Sequence, residues 1–179
     1  MALKNIKLNI KKGKAPIEPI EIFRGLTLRG VVENIWGPQQ EALERWHSSR
    51  GESDIVIQMN TGGGKTLVGL LIAQSLLNET NGHVLYLCVN NQLVEQTIQK
   101  AKECGFIVSC RYAGNWEEQH KFDSCQAFCI TNYDTVFNGL SIFKDKQIDA
   151  LVFDDAHVAE NKVRDQFTIK ISPREELFK

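Results

Sequence analysis

The chain has no CxxC pair, no apolar run long enough to cross a bilayer, no repeat and no low-complexity stretch. Each absence removes a class of protein. Five cysteines, an odd number without paired spacing, argue against a zinc site or a disulfide framework. They suit reduced thiols in a cytoplasm. A membrane span would need roughly 20 apolar residues in a row. The start also lacks the apolar core and small-residue cleavage site of a signal peptide. Charge of either sign is hardly in excess: 21 Lys and Arg face 22 Asp and Glu, a net charge of -1. No global basic field advertises nucleic acid, so any such contact has to be local. What remains is an ordinary composition. At 179 residues, 42% hydrophobic and 24% charged, the chain makes one domain with a real core.

Two strings stand out from this plain background. The first is Met59-Asn60-Thr61-Gly62-Gly63-Gly64-Lys65-Thr66. It follows Asp54-Ile55-Val56-Ile57-Gln58, an apolar run of strand length, and opens Leu67-Val68-Gly69-Leu70-Leu71-Ile72-Ala73, which continues as a helix. Strand, glycine loop and helix in that order form a phosphate cradle. Glycines let backbone N–H groups turn inward on a polyphosphate, and the helix N-terminus adds a favourable dipole. Lys65 would reach the terminal phosphates and the Thr66 hydroxyl would bind Mg2+. A plain glycine-rich turn explains the glycines but not Lys65-Thr66 at the helix start.

The second string is Leu151-Val152-Phe153-Asp154-Asp155-Ala156-His157. Residues 149–153 form a continuous apolar run, which reads as a buried parallel strand. Ligands of open α/β sheets gather at the carboxyl ends of such strands. Asp154 is therefore placed to hold magnesium, and Asp155 to orient or deprotonate an attacking water. The competing reading is an Asp-Asp cap on the next helix.

Between the two strings, strand and helix patterns alternate. A helix is expected from Pro38 to about His47, with Ala42, Leu43 and Trp46 inward. Val84–Cys88 reads as a strand, Gln92–Cys104 as an amphipathic helix stopped by Gly105, and Phe106–Cys110 as a strand. Residues 113–124 read as a loop or short helix, 127–130 as a strand, and 133–137 as a helix ending at Asn138-Gly139. This alternation predicts an α/β fold, a mostly parallel sheet with helices on both faces. Residues 1–20 stand apart. Lys4, Lys7, Lys11, Lys12 and Lys14 make them basic, Ile6, Leu8 and Ile10 alternate like an edge strand, and Pro16 and Pro19 mark a break. They read as a solvated leader or as an arm touching nucleic acid. Residues 21–179 form the single domain. His83 and His120 read as surface residues.

Five stretches, in order, resemble the first RecA-like domain of superfamily-two helicases of the DEAD/DEAH-box type, closest to the group with restriction-enzyme motor subunits. Trp36-Gly37-Pro38-Gln39-Gln40-Glu41-Ala42 resembles the glutamine motif, and residues 59–66 resemble motif I. Residues 85–96, Leu85-Tyr86-Leu87-Cys88-Val89-Asn90-Asn91-Gln92-Leu93-Val94-Glu95-Gln96, resemble motif Ia. Ile130-Thr131-Asn132-Tyr133-Asp134 resembles a later strand-contacting motif, and Asp154-Asp155-Ala156-His157 resembles motif II. The resemblance implies a P-loop ATP site with Mg2+. Asn60, Thr61, Gly62, Gly63, Gly64, Lys65 and Thr66 would bind the nucleotide, Gln39 would read adenine, and Lys65, Asp154 and Asp155 would be catalytic. It implies contacts to a nucleic-acid strand, DNA rather than RNA, from Asn90, Gln92, Thr131 and Asn132. Asn90 and Asn132 read equally as helix caps. His157 would couple toward a further domain or motif.

The departures are specific. Met59 stands where Gly or Ala is usual, Asp155 where Glu is usual, Val89-Asn90 where Pro-Thr is usual, and Trp36 where Arg is usual. Nothing after His157 resembles the family's coupling motif, a second RecA-like domain or an arginine finger. The expectation is a piece of a longer motor: the ATP-binding part of a nucleic-acid-dependent ATPase. The alternative is a nucleotide-binding switch with little hydrolysis.

Overall fold

Val84–Cys88, five residues without a charge, forms strand β1, buried at every position in the computed structural model. The structure describes residues 14–27 and 34–168. The alternating pattern proposed for Ile6, Leu8 and Ile10 lies outside the described residues. Before β1 come helices α1 (Pro19–Gly25), α2 (Gly37–Ser48) and α3 (Lys65–Thr80). After it come α4 (Asn91–Glu103), β2 (Val108–Tyr112), β3 (Asn115–Glu117), α5 (Gln119–Asp123), β4 (Phe128–Asn132), α6 (Tyr133–Val136), β5 (Ala150–Phe153) and α7 (Ala156–Gln166).

The five strands form one sheet in the order β3-β2-β4-β1-β5. All neighbours are parallel except β2 and β3. Because side chains alternate along a strand, each strand feeds two cores. Val84, Tyr86 and Cys88 of β1 join Phe128 and Ile130 of β4 against α3, α4 and the first two helices. Leu85, Leu87 and Cys129 face the other way, toward Phe122, Tyr133 and Ala159 of α5, α6 and α7. The architecture is thus the α/β sandwich of a RecA-like domain, with helices on both faces. Helix α3 is apolar almost all round, with Leu67, Val68, Leu70, Leu71, Ile72 and Leu77 buried, as a central helix must be. Each such side chain contributes about 1.5–3 kcal/mol on burial.

Three expectations need correction. Residues 54–60 run extended into the glycine turn but pair with no strand among the described residues. Ile55, Ile57 and Met59 pack on the α3 core while Val56 is 89% exposed, so the apolar run serves one buried face and joins no ladder. Strand β5 is not buried on both sides. Among the described residues it has β1 as its one neighbour, and Leu151 and Phe153 stay partly exposed on the face away from α3. Helix α1 and strand β3 are additional elements. Glu18 caps α1 by accepting from Ile20 N (3.1 Å) and Glu21 N (2.7 Å), and Pro19 takes the first helical position. The segment just before α1 lies on α3, where the carbonyls of Pro16 and Ile17 accept from Asn78 Nδ2 (2.7 Å) and the Ser75 hydroxyl. No helix among the described residues is long and apolar enough to cross a membrane.

Candidate nucleotide site

The turn before α3 is built on a left-handed backbone. Gly64 sits at the N-cap with φ 74°, a conformation costly for any residue with a Cβ. A Cβ there would also lie 2.0 Å from Gln39 Nε2 and push that amide off the turn. Gly63 N donates to Asn60 O at 3.1 Å and closes the turn. Asn60, Thr61 and Gly62 are exposed, while Gly63 to Thr66 are half-buried at the helix start. The first N–H groups of α3 have no partner within the helix, which is what an anion needs.

Across the turn stand the two carboxylates that follow β5. Asp154 is held on three sides. Its N–H donates to Leu87 O at 2.9 Å and its carbonyl accepts from the Tyr133 hydroxyl, while the Tyr86 hydroxyl favours its ionised carboxylate. Burial, and then repulsion from Asp155, push its pKa above the usual carboxylate range, and Lys65 partly offsets this. Asp155 is held differently. It occupies the N-cap position of α7 with φ 49°, yet its side chain makes no capping bond. Instead Asp155 Oδ1 lies 3.2 Å from Lys65 Nζ. The cap reading of Asp155 is therefore wrong for its side chain. An off-pattern backbone at a position with no local reward is the kind of strain that marks functional loops.

A cleft of about 710 Å³ opens beside these groups, lined by Trp36, Gln39, Gly64, Thr66, Leu93 and Asp154 among others. This is within the size range of small-molecule sites. Thr66 and Asp154 line the same cleft. Magnesium takes one or two protein oxygens and fills the rest of its shell with phosphate and water, so this donor pair fits it. Gln39, 5% exposed, is turned onto the glycine loop: Nε2 donates to Gly63 O (3.2 Å) and Gly64 O (3.4 Å), and Oε1 accepts from Trp36 N (3.0 Å). The amide holds the loop in place. Trp36 is 62% exposed at the cleft rim.

The four candidate strand contacts divide. Asn90 and Gln92 are exposed at the start of α4. Asn90 also caps that helix, accepting from Leu93 N at 2.9 Å. Thr131 is fully buried and its hydroxyl donates to Arg111 O, so it offers nothing to a strand. Asn132 is 7% exposed, caps α6 through Thr135 N (2.7 Å) and donates to Asn91 Oδ1 (2.5 Å). These two support the surface and do not form it; their small polar side chains are used by the backbone around them. Asp134 takes Lys162 of α7 at 3.0 Å. His157 is exposed on the first turn of α7, and its side chain has no hydrogen-bond partner among the described residues.

Sequence reasoning passes over Tyr86 and Tyr133, which hold Asp154. The available signal was a tyrosine inside an apolar strand, since a buried phenol needs a partner for its hydroxyl.

Residues 34–175 match the family described as type III restriction enzyme, res subunit. No curated protein and no solved structure matches the chain.

Proposed function

Since the chain belongs to the type III restriction enzyme res subunit family, whose domain is of the helicase-like ATP-binding kind, we propose that it binds Mg2+-ATP for a nucleic-acid-dependent ATPase acting on DNA. The observation that carries this reading is the ion pair between Lys65, at the start of α3, and Asp155 at 3.2 Å, with Asp154 beside it lining the cleft.

In this reading the free N–H groups of the turn and of α3 receive the phosphates. Lys65 exchanges its carboxylate partner for the terminal phosphate, where charge is greatest. Asp155, released from Lys65, orients the attacking water and accepts its proton. Thr66 and Asp154 hold magnesium, which supplies charge neutralisation on the phosphates. Gln39 fixes the glycine turn and lies at the expected adenine end, with Trp36 at the rim. Asn90 and Gln92 meet the sugar-phosphate backbone of DNA, which positions a strand without reading its sequence.

Isothermal titration with Mg2+-ATP tests the site. Lys65→Ala should weaken binding at least tenfold, about 1.4 kcal/mol. Unchanged affinity would remove the nucleotide assignment. Asp155→Asn should bind ATP as the parent does while turnover falls. ATP hydrolysis by the full-length protein with and without DNA then separates a motor from a nucleotide switch: stimulation is the expected result, and none would favour the switch, whereas the present chain alone should turn over very slowly.

A further inference from the structure

Asp154 and Asp155 are neighbours in sequence, yet the protein treats them oppositely. Asp155 has one side-chain partner, Lys65, and a strained backbone. Asp154 has its N–H and its carbonyl bonded by the fold, and the Tyr86 hydroxyl favours its ionised carboxylate. Two tyrosines thus bear on this one residue. Both tyrosines are among the largest fully buried side chains of the chain, Tyr86 at 1% exposure and Tyr133 at 0%.

A buried tyrosine is an expensive way to fill a core, since leucine or phenylalanine brings no hydroxyl to satisfy. The surroundings have been shaped to admit these two. Tyr86 is paired with Val152 in the β1–β5 register. Val152 and Asp154 lie two apart on β5 and its continuation, so Asp154 projects to the same side as Tyr86. That side is covered by α3, and there the helix carries Gly69. A Cβ at Gly69 would lie 2.8 Å from Tyr86 Cε2 and 3.1 Å from its hydroxyl. Glycine inside a helix costs about 1 kcal/mol relative to alanine. Here it makes room for the ring that reaches Asp154. Tyr133 approaches from the opposite side of the sheet, stacked on Phe153 with centroids 5.9 Å apart and 23° between planes.

We infer that Tyr86 and Tyr133 are positioning residues for Asp154, the first aiming its carboxylate and the second fixing its main chain, so that this carboxylate presents a preformed ligand to a divalent cation. The inference rests on the nucleotide-site reading above and deepens it. Partners that orient metal-binding carboxylates characteristically change metal affinity when removed. Tyr133 also begins α6, where Asn132 reaches Asn91 at the start of α4 and Asp134 reaches Lys162 of α7. The anchoring of Asp154 therefore continues into the segment beside the candidate DNA contacts.

The test is the magnesium dependence of ATP binding by the whole chain, measured by titration calorimetry across a Mg2+ series and without metal. Tyr86→Phe keeps the ring and removes the hydroxyl. It should raise the Mg2+ concentration for half-maximal effect roughly tenfold or more, with ATP affinity in the absence of metal unchanged. Tyr133→Phe should give a smaller shift in the same direction. A purely structural role would lower the melting temperature and leave the magnesium midpoint where it was. Gly69→Ala, which displaces Tyr86 without deleting it, should reproduce the Tyr86→Phe shift. If Tyr86→Phe is unstable, Tyr133→Phe and Gly69→Ala decide the matter. Folded variants with the parent's magnesium midpoint overturn the inference while the nucleotide site stands. A parent that binds no Mg2+-ATP, or Lys65→Ala that binds it equally well, overturns the nucleotide site and this inference with it.

Discussion

Asp154 carries a charge in a place that resists charge. Burial is the larger cause and the neighbouring Asp155 the second, and both raise its pKa above the ordinary value. The folded chain thus holds a proton on Asp154 more tightly than the unfolded chain does. Ionised Asp154 opposes folding. That cost is absent below the unfolded value, about 3.9, and develops as pH rises through the higher folded value. Asp154→Asn should therefore raise the melting temperature at neutral pH without magnesium, and the gain should fade toward about pH 4. Thermal melts of parent and variant across that range check it, and a gain that persists in acid would mean that its source is not the charge. The residues of this site were unequally legible. Lys65, Thr66, Asp154 and Asp155 declare themselves by type and spacing, because phosphate and metal chemistry admit few substitutes. Thr131 does not, since a small polar residue at a strand end reads alike whether it faces solvent or, as here, the Arg111 carbonyl.

Among the elements, those with long apolar patterns were readable and those defined by their neighbours were not. Strand β1 and helices α2, α3 and α4 follow from periodicity and punctuation. Strand β3, three residues long, exists because β2 offers it an antiparallel edge. Helix α1 is seven residues, too short for a period to show, and it depends on the Glu18 cap and on the bonds that join the preceding residues to α3. Composition also cannot say which strand ends up outermost or which apolar run joins a ladder, which is why β5 reads as a buried strand and 54–58 as a run of strand length. At the start of α4 the structure separates two roles of one side chain. Asn90→Ala should destabilise the chain by about 1 kcal/mol through loss of the cap, and Asn90→Ser should restore most of it. Chemical denaturation measures this. If the Asn90 amide also donates to DNA phosphate, Asn90→Ser should recover stability but leave DNA affinity reduced. Full recovery of both would leave the cap as its whole role.

For the molecule as a whole, charge sets what kind of DNA binding to expect. The chain carries a net charge of -1, and the exposed residues at the start of α4, Asn90, Asn91 and Gln92, are uncharged. Amides contact phosphates without displacing many counterions. Binding of single-stranded DNA should be weak and only mildly sensitive to salt, with a logarithmic slope no steeper than about -2. Fluorescence anisotropy between about 50 and 200 mM salt gives that slope. A much steeper one would place the main contact elsewhere on the chain, where lysines are grouped.

Among the described residues, strand β5 has β1 on one side and no strand on the other. An edge strand with a single neighbour can slip along it, and a slip of one residue turns every side chain to the opposite face. For β5 such a slip would put Leu151 and Phe153 against α3 in place of Ala150 and Val152. It would also carry Asp154 away from Tyr86 and the glycine turn to the far side of the sheet. The bond from the Tyr133 hydroxyl to the Asp154 carbonyl can close in one alignment alone. It works as a detent: the Asp154 carboxylate is counted into place against two strands at once, β1 alongside and β4 through Tyr133.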